Sequence, residues 1–190
     1  MKTFAARTRS AVVDRHERGS QIVEFALMLP IFVAVTVGAF DFGNAFTIRD
    51  KLANSAREGA RVAIRQSTLD LSQASPPSVH AIARVVVQYL IETKVLNSSC
   101  SLSNAPVSGE VWAWTFTGSC PDTLTVTVER GYTGSPTLTA NGAVVIMTKV
   151  TVQYPARLAF FYKAARLLAP GANFANKFTL TASAVMQNLV

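Results

Sequence analysis

Residues 20–40 hold one charged side chain, Glu24, in an otherwise apolar run of 21 residues. An α-helix of that length covers about 30 Å, which is the thickness of a bilayer's hydrocarbon core. A cleaved secretory signal has a shorter apolar centre and a small-residue cleavage site, whereas this run continues into Asp41 without an A-x-A site. Pro30 is tolerated in membrane helices. The sequence therefore predicts a membrane-spanning helix that stays in the mature protein.

Residues 1–19 carry five basic and two acidic side chains, a net +3 of the chain's +7. Positive residues that flank an apolar span stay in the cytoplasm, so we expect a cytoplasmic amino end and an outward-facing remainder. The other four net charges are scattered, which argues against an outward-facing nucleic-acid binder. No nucleic-acid partner is expected.

Glu24 is the one residue of the apolar run whose insertion into a bilayer is clearly unfavourable. A carboxylate in mid-bilayer costs about 2.5–3.5 kcal/mol on insertion scales, and less near the headgroups. One interpretation places Glu24 in the headgroup region. The other is that the chain is cut between Gly19 and Ser20, which creates an α-amino group four residues before Glu24. That amine, or the amine of a neighbouring copy, would then offset part of the cost.

This amino-terminal pattern resembles a type IV prepilin processing site. More narrowly, the chain resembles the TadE-type minor pseudopilins of the tight-adherence, or Flp pilus, system, and the amino-terminal third carries most of that resemblance. The last segment matches more weakly, and residues 70–140 match only in character. The matching runs are Glu24-Phe25-Ala26-Leu27 with Pro30, Asp41-Phe42-Gly43, Ala56-Arg57-Glu58-Gly59-Ala60-Arg61-Val62-Ala63 and Leu180-Thr181-Ala182-Ser183-Ala184-Val185-Met186.

The resemblance implies a minor pilin-like structural subunit for assembling adhesive Flp pili, with no enzymatic activity and no cofactor. Gly19 and Ser20 would flank the cut made by a prepilin peptidase, and Glu24 would pair with an N-terminal amine during assembly. The implied partners are that peptidase, other Tad-system minor pilins, the Flp major pilin, the inner-membrane assembly platform and the lipid bilayer. The implied location is the bacterial inner membrane, with a single span and the bulk of the chain periplasmic. The alternative is an uncleaved single-pass envelope protein with an extracytoplasmic binding domain.

The residue pattern beyond the span predicts an α+β domain, in which the long helix extends into a helix-packed antiparallel sheet. The predicted divisions are a leader at 1–19, the span at 20–40, a helical extension at 41–66 and the extracytoplasmic domain at 67–190. Apolar residues recur every three or four positions to residue 65, and a second amphipathic helix opens at Pro77 after a linker. Alternating apolar residues predict strands at 111–117, 124–129, 144–154 and 178–186.

Three surfaces of this domain have two interpretations each. The small residues from Ala53 to Ala63 are expected to pack on their own domain, with packing between subunits as the alternative. Trp112, Trp114 and Phe116 alternate along one strand and are expected in the core, with an exposed binding strip as the alternative. The basic amphipathic segment 155–170 is expected to pack on the sheet, with an anionic membrane surface as the alternative.

Cys100 and Cys120 are the only cysteines, and one disulfide between them is expected in an exported chain, with two free buried thiols as the alternative. Two cysteines and two distant histidines do not make a structural zinc site, so no metal site is expected. The sequence holds neither a G-x-x-x-x-G-K nor a G-x-G-x-x-G loop. A Ser-His-Asp site outside the membrane would depend on His80, with no marked nucleophile.

Overall fold

The computed structural model describes residues 15–103, 107–108, 112–119, 123–134, 137, 139–140, 143–158, 160, 162–163, 166, 171 and 177–188. Two helices come first, α1 (Arg15–Ala63) and α2 (Pro77–Glu92). The strands follow: β1 (Ser101–Leu102), β2 (Val107–Ser108), β3 (Ala113–Ser119), β4 (Leu124–Tyr132), β5 (Thr139–Ala140), β6 (Ala143–Val144), β7 (Met147–Arg157) and β8 (Lys177–Gln187). This order, helices before strands, is typical of α+β proteins.

The main sheet is antiparallel throughout, in the order β1-β3-β4-β7-β8, with β2 also paired to β3. β5 and β6 form a separate two-stranded ladder. In the centre of the sheet Val126 lies opposite Val152 and Val128 opposite Val150, and all four are fully buried. The strict alternation of the sequence thus gives one buried and one more exposed face. The predicted α+β class with a helix-packed antiparallel sheet is confirmed.

The two helices cover the buried face of this sheet. α1 packs against α2, β7 and β8, while α2 lies over β4 and β1. The small residues of α1 make the close packing possible, since Ala56, Ala60 and Ala63 are completely buried. At Gly59 a Cβ atom would come within 2.6 Å of Val86 Cγ2 on α2 and 3.3 Å of Val150 Cγ1 on β7. The small-residue surface therefore packs on its own domain, which was the interpretation that the sequence favoured.

The prediction for the aromatic strand is correct for two of its three side chains. Trp114 and Phe116 are buried in the core, as expected. The prediction that Trp112 lies in the core is wrong. Trp112 lies in a turn before β3, has a φ of 61° and is 44% exposed. The left-handed backbone at Trp112 takes it out of the alternation, because that conformation interrupts the pleat.

Candidate functional site

The three residues predicted for processing and assembly lie together at the front of α1. Gly19, Ser20 and Glu24 are all exposed, and helix α1 is continuous through the predicted cut. Ser20 and Glu24 are four residues apart, so they share one face of the helix on successive turns. A Cβ atom built on Gly19 would meet nothing within 4 Å. The structure thus presents this segment as an accessible helical strip, free of contacts with the folded domain at Gly19.

The apolar run that follows is largely exposed. Eleven of its large side chains between Ile22 and Phe40 are at least 46% exposed, whereas Val37 is half-buried and Gly38 is buried. No part of the most apolar 18-residue stretch of this helix is buried. Apolar surface of this extent is not left in water by a folded protein. Of the residues that the structure describes, α1 is the one helix long and apolar enough to cross a membrane.

Asp41 continues a buried stripe of α1 that, within residues 19–63, starts at Gly38. Its side chain is only 4% exposed, and its Oδ1 accepts a hydrogen bond from the backbone N–H of Phe160 at 3.4 Å. Ala45 and Leu52 continue the buried stripe along the helix. In the sequence, Asp41 belongs to the Asp41-Phe42-Gly43 run that resembles the TadE-type proteins, but no role was predicted for it. Its structural role is to hold the chain after β7 beside the helix.

The carboxyl end of α1 is held by Arg130 of β4, which is only 2% exposed. Its guanidinium donates hydrogen bonds to the carbonyl oxygens of Ala63, of Gln66 at 3.1 Å and of Ser67 at 3.5 Å. The last carbonyls of a helix have no partner within the helix and carry partial negative charge, so a buried cation satisfies both requirements. Burial lowers the pKa of Arg130 and the charge of Asp70 opposes that shift. Arg130 thereby fixes the long helix to the sheet.

The amino end of α2 is capped from the connecting segment by Asp70. The two oxygens of its carboxylate accept hydrogen bonds from the backbone N–H and the hydroxyl of Ser78, both at 2.8 Å. Pro76, at the N-cap position, makes no side-chain cap of its own. Burial acts to raise the pKa of Asp70, but the hydrogen bonds from Ser78 and the charge of Arg130 outweigh it, and the pKa lies below its ordinary value.

Replacing Asp70 by asparagine should lower stability in a pH-dependent way. Because the pKa of Asp70 is depressed on folding, its stabilising effect is complete above an unfolded pKa near ~3.9 and is lost as the pH falls through the folded value. Asp70→Asn keeps one acceptor for Ser78 but loses the second and the negative charge, so it should cost about 1 kcal/mol at neutral pH, as for one hydrogen bond, and almost nothing in strong acid. Denaturant unfolding of the full chain in detergent at both pH values measures this. Asp50→Asn, at an exposed position of α1, is the control, and an equal loss at both pH values would contradict the assignment.

Of the other residues singled out in the sequence, Cys100 and His80 lie within the described part of the chain and Cys120 does not. Cys100 is buried at 8% exposure, whereas Cys120 lies outside the described residues, so the disulfide between them stays a prediction. His80, on which a Ser-His-Asp site would depend, is half-buried, with its ring 4.9 Å from that of Phe116 and its Nε2 2.6 Å from the Ser75 hydroxyl. Within the described residues, no group of three or more His, Cys, Asp or Glu side chains could hold a metal ion.

Sequence reasoning missed Arg130, although one signal was available. Leu124, Val126 and Val128 alternate on the buried face, and the same alternation places residue 130 on that face as well. An arginine at a core position needs a partner, and the carbonyls at the end of α1 are that partner. Asp41 had no such signal, because its contact with Phe160 joins residues 119 positions apart.

Comparison with known proteins gives one family. The model of the TadE-like protein family matches residues 19–61, which begin at Gly19 and run along α1 almost to its end. No curated protein and no solved structure matches the chain. The match and the exposed apolar helix together support a single-pass membrane protein. The segment that carries Gly19, Ser20, Glu24 and Asp41 is thus similar to the TadE-like protein family.

Proposed function

We propose that this protein is a minor pilin-like subunit of the tight-adherence pilus machine. In this proposal a prepilin peptidase removes the cytoplasmic leader by cutting between Gly19 and Ser20. The observation that carries the proposal is that the TadE-like match coincides with one continuous helix, at whose exposed front all three predicted site residues lie. The TadE-like family is a structural component of pili, which favours a structural role over catalysis.

The chemistry of the cut explains the carboxylate at position 24. Cleavage creates an ammonium group on Ser20, about 6 Å along the axis from Glu24 in a helix. Opposite charges attract more strongly in a medium of low dielectric constant, so the pair would offset part of the cost of burying Glu24 in lipid. The Ser20 amine of a neighbouring subunit can make the same pairing. Glu24 would then set the register at which a new subunit joins the assembly.

The proposed setting follows from the leader charge and the family. The amino end would be cytoplasmic, the span would lie in the bacterial inner membrane, and the α+β domain would be periplasmic. Its partners would be the prepilin peptidase, other Tad-system minor pilins, the Flp major pilin and the assembly platform. The folded domain would initiate, cap or modify the fibre, or couple it to that platform.

A disulfide between Cys100 and Cys120 is part of this proposal. β1 and β3 pair antiparallel with Ser101 opposite Ser119, and one more step of that register would bring position 100 opposite position 120. Closing this loop would stabilise the fold by roughly 3 kcal/mol in the chain-entropy model. Alkylation of the denatured protein should add two groups only after reduction, as measured by intact mass. Two groups added without reductant would show free thiols.

Processing is tested by the intact mass of the membrane-extracted protein made together with an active prepilin peptidase. The wild type should lose residues 1–19, and Gly19→Arg should keep them. A Cβ atom at position 19 meets nothing within 4 Å, and the position is exposed, so we expect Gly19→Arg to fold like the wild type. Gly171→Arg places the same residue at another glycine with open space and should be processed normally. A wild-type chain that keeps its leader would favour the uncleaved envelope protein.

The same preparation tests Glu24. Glu24→Ala should be cleaved and folded like the wild type but should fail to co-purify with, or support, assembled pili. Gln21→Ala is the matched control, since Gln21 is also exposed on the first turns of the helix. Normal pilus assembly by Glu24→Ala would refute the pairing role and would fit a carboxylate that merely lies among the headgroups.

A further inference from the structure

The position of each α1 residue relative to the bilayer follows from the helical rise. With residues 20–40 filling the hydrocarbon core, Phe42 lies about 3 Å beyond Phe40 and Phe46 about 9 Å beyond it. The headgroup layer adds roughly 5–7 Å on each side of the core. Phe42 therefore lies within the headgroup layer, and Phe46 lies just beyond its outer edge.

Both phenylalanines are exposed although they follow the span. Phe42 is 58% and Phe46 is 63% exposed, and they share a face of the helix because they are four residues apart. The adjacent stripe, which carries Asp41 and Ala45 about 100° around the helix, is buried. The apolar surface of the membrane helix thus continues outward for one and a half turns on the side that the domain leaves open.

A second chain segment reaches the same depth. The hydrogen bond from the Phe160 N–H to Asp41 Oδ1 places the backbone of Phe160 beside residue 41, and the Phe160 ring is 63% exposed. Lys163 and Arg166 follow at a spacing of three and are also exposed. An exposed aromatic ring followed by basic side chains is the composition of segments that rest on an anionic membrane surface.

We propose that Phe160, Lys163 and Arg166 form a second membrane contact, which with Phe42 and Phe46 seats the folded domain on the headgroup layer of an anionic bilayer. The Phe42 and Phe160 rings would enter the headgroup layer, Phe46 would lie at its outer surface, and Lys163 and Arg166 would face the lipid phosphates. The sequence favoured packing of this segment on the sheet. The exposure of Phe160 at the depth of Asp41 favours the membrane surface instead.

Lipid is the occupant favoured here because the surface is continuous with the membrane helix. Two segments that lie 119 positions apart in the chain meet at one depth, and both expose phenylalanine there. The basic residues at the same end match the negative charge of phospholipid headgroups. The inference requires the membrane span but not the cut at Gly19, so it is tested independently of processing.

The test uses the full chain in vesicles at a low protein-to-lipid ratio, with bromine atoms on the upper part of the acyl chains. Phe160→Trp introduces a fluorophore, and the emission of wild-type protein in the same vesicles supplies the background from Trp112 and Trp114. The introduced tryptophan should lose emission in brominated lipid. Leu69→Trp is the matched control: Leu69 is 92% exposed and follows the far end of α1, so its emission should not change.

The charge arm compares phosphatidylcholine vesicles with vesicles that also contain phosphatidylglycerol. Quenching at position 160 should increase with the anionic lipid, and Lys163→Glu with Arg166→Glu should remove that increase. Each basic residue should change the seated population roughly five-fold on an anionic surface. Arg57→Glu with Arg65→Glu, both at exposed positions away from the span, makes the same change in net charge and should have no effect. Absence of quenching at position 160 in both lipids would overturn the proposal.

Discussion

Replacing Gly59 by leucine should lower the free energy of unfolding by roughly 3 kcal/mol or more, at the upper end of what overpacking costs. Even a single Cβ atom at this position would lie 2.6 Å from Val86 Cγ2, and both Val86 and Val150 are fully buried. Valine in a helix has essentially one rotamer, so Val86 cannot turn away from the added side chain. The helices would have to separate, and the close packing of α1 on α2 and β7 would be lost.

The variant Gly59→Ala makes the test more selective. In an open helix this change stabilises by up to about 1 kcal/mol, because alanine has the higher helix propensity. Gly43 lies on the same helix with nothing within 4 Å of its Cβ position, so Gly43→Ala should be neutral or stabilising. Gly59→Ala should instead destabilise. Denaturant titration of the full chain in detergent, followed by tryptophan fluorescence, gives both values. If Gly59 variants kept their stability but lost assembly, the glycine would serve a contact between subunits.

Replacing Arg130 by methionine should destabilise the protein by about 3 kcal/mol, the cost of removing one partner from a buried charged network. Methionine keeps much of the apolar stem but removes the side-chain donor of the Ala63 and Gln66 carbonyls, and the Ala63 carbonyl then keeps only the backbone N–H of Gln66 at 3.2 Å. Ala63 ends α1 and Gln66 follows it, and a buried acceptor without a donor costs about 1–3 kcal/mol. Removal of the cation also relieves its own desolvation, so the loss is smaller than the sum of three hydrogen bonds.

Arg130→Lys separates charge from geometry. A lysine keeps the positive charge but presents one ammonium group in place of the planar fork, and it cannot reach three carbonyls in the same arrangement. It should recover only part of the loss. Arg61→Met, at an exposed position in the last turn of α1, is the control and should change stability by less than about 0.5 kcal/mol. A neutral Arg130→Met would show that the helix end finds other donors.

The sheet was predictable because its signal is local. Leu124, Val126 and Val128 alternate with threonines, and the structure buries all three. Trp112 was not predictable in this way, because its exposure depends on a single left-handed backbone conformation and on the hydrogen bond from the Arg130 N–H to its carbonyl oxygen. That bond joins residues that only the folded hairpin brings together.

The residues proposed for processing could be named from the sequence because a prepilin peptidase would read a short run of adjacent residues. The structure adds that Gly19, Ser20 and Glu24 are exposed on one helix, which the sequence could only predict. The residues that attach this helix to the domain were not named in advance. Asp41 and Arg130 act on groups 119 and at least 63 positions away, and such pairs follow from the tertiary fold rather than from spacing.

The unbroken course of α1 has a mechanical consequence. Its 49 residues make a rod about 74 Å long, and no hinge separates the part that lies in lipid from the part that forms the core. A pull or a torque applied at the front would pass along the rod and reach the sheet at Gly59 and Arg130. Pro30 is the one proline inside the rod, and it is the place where we expect it to bend first. Extraction from the bilayer would therefore move the folded domain as one piece with its stem.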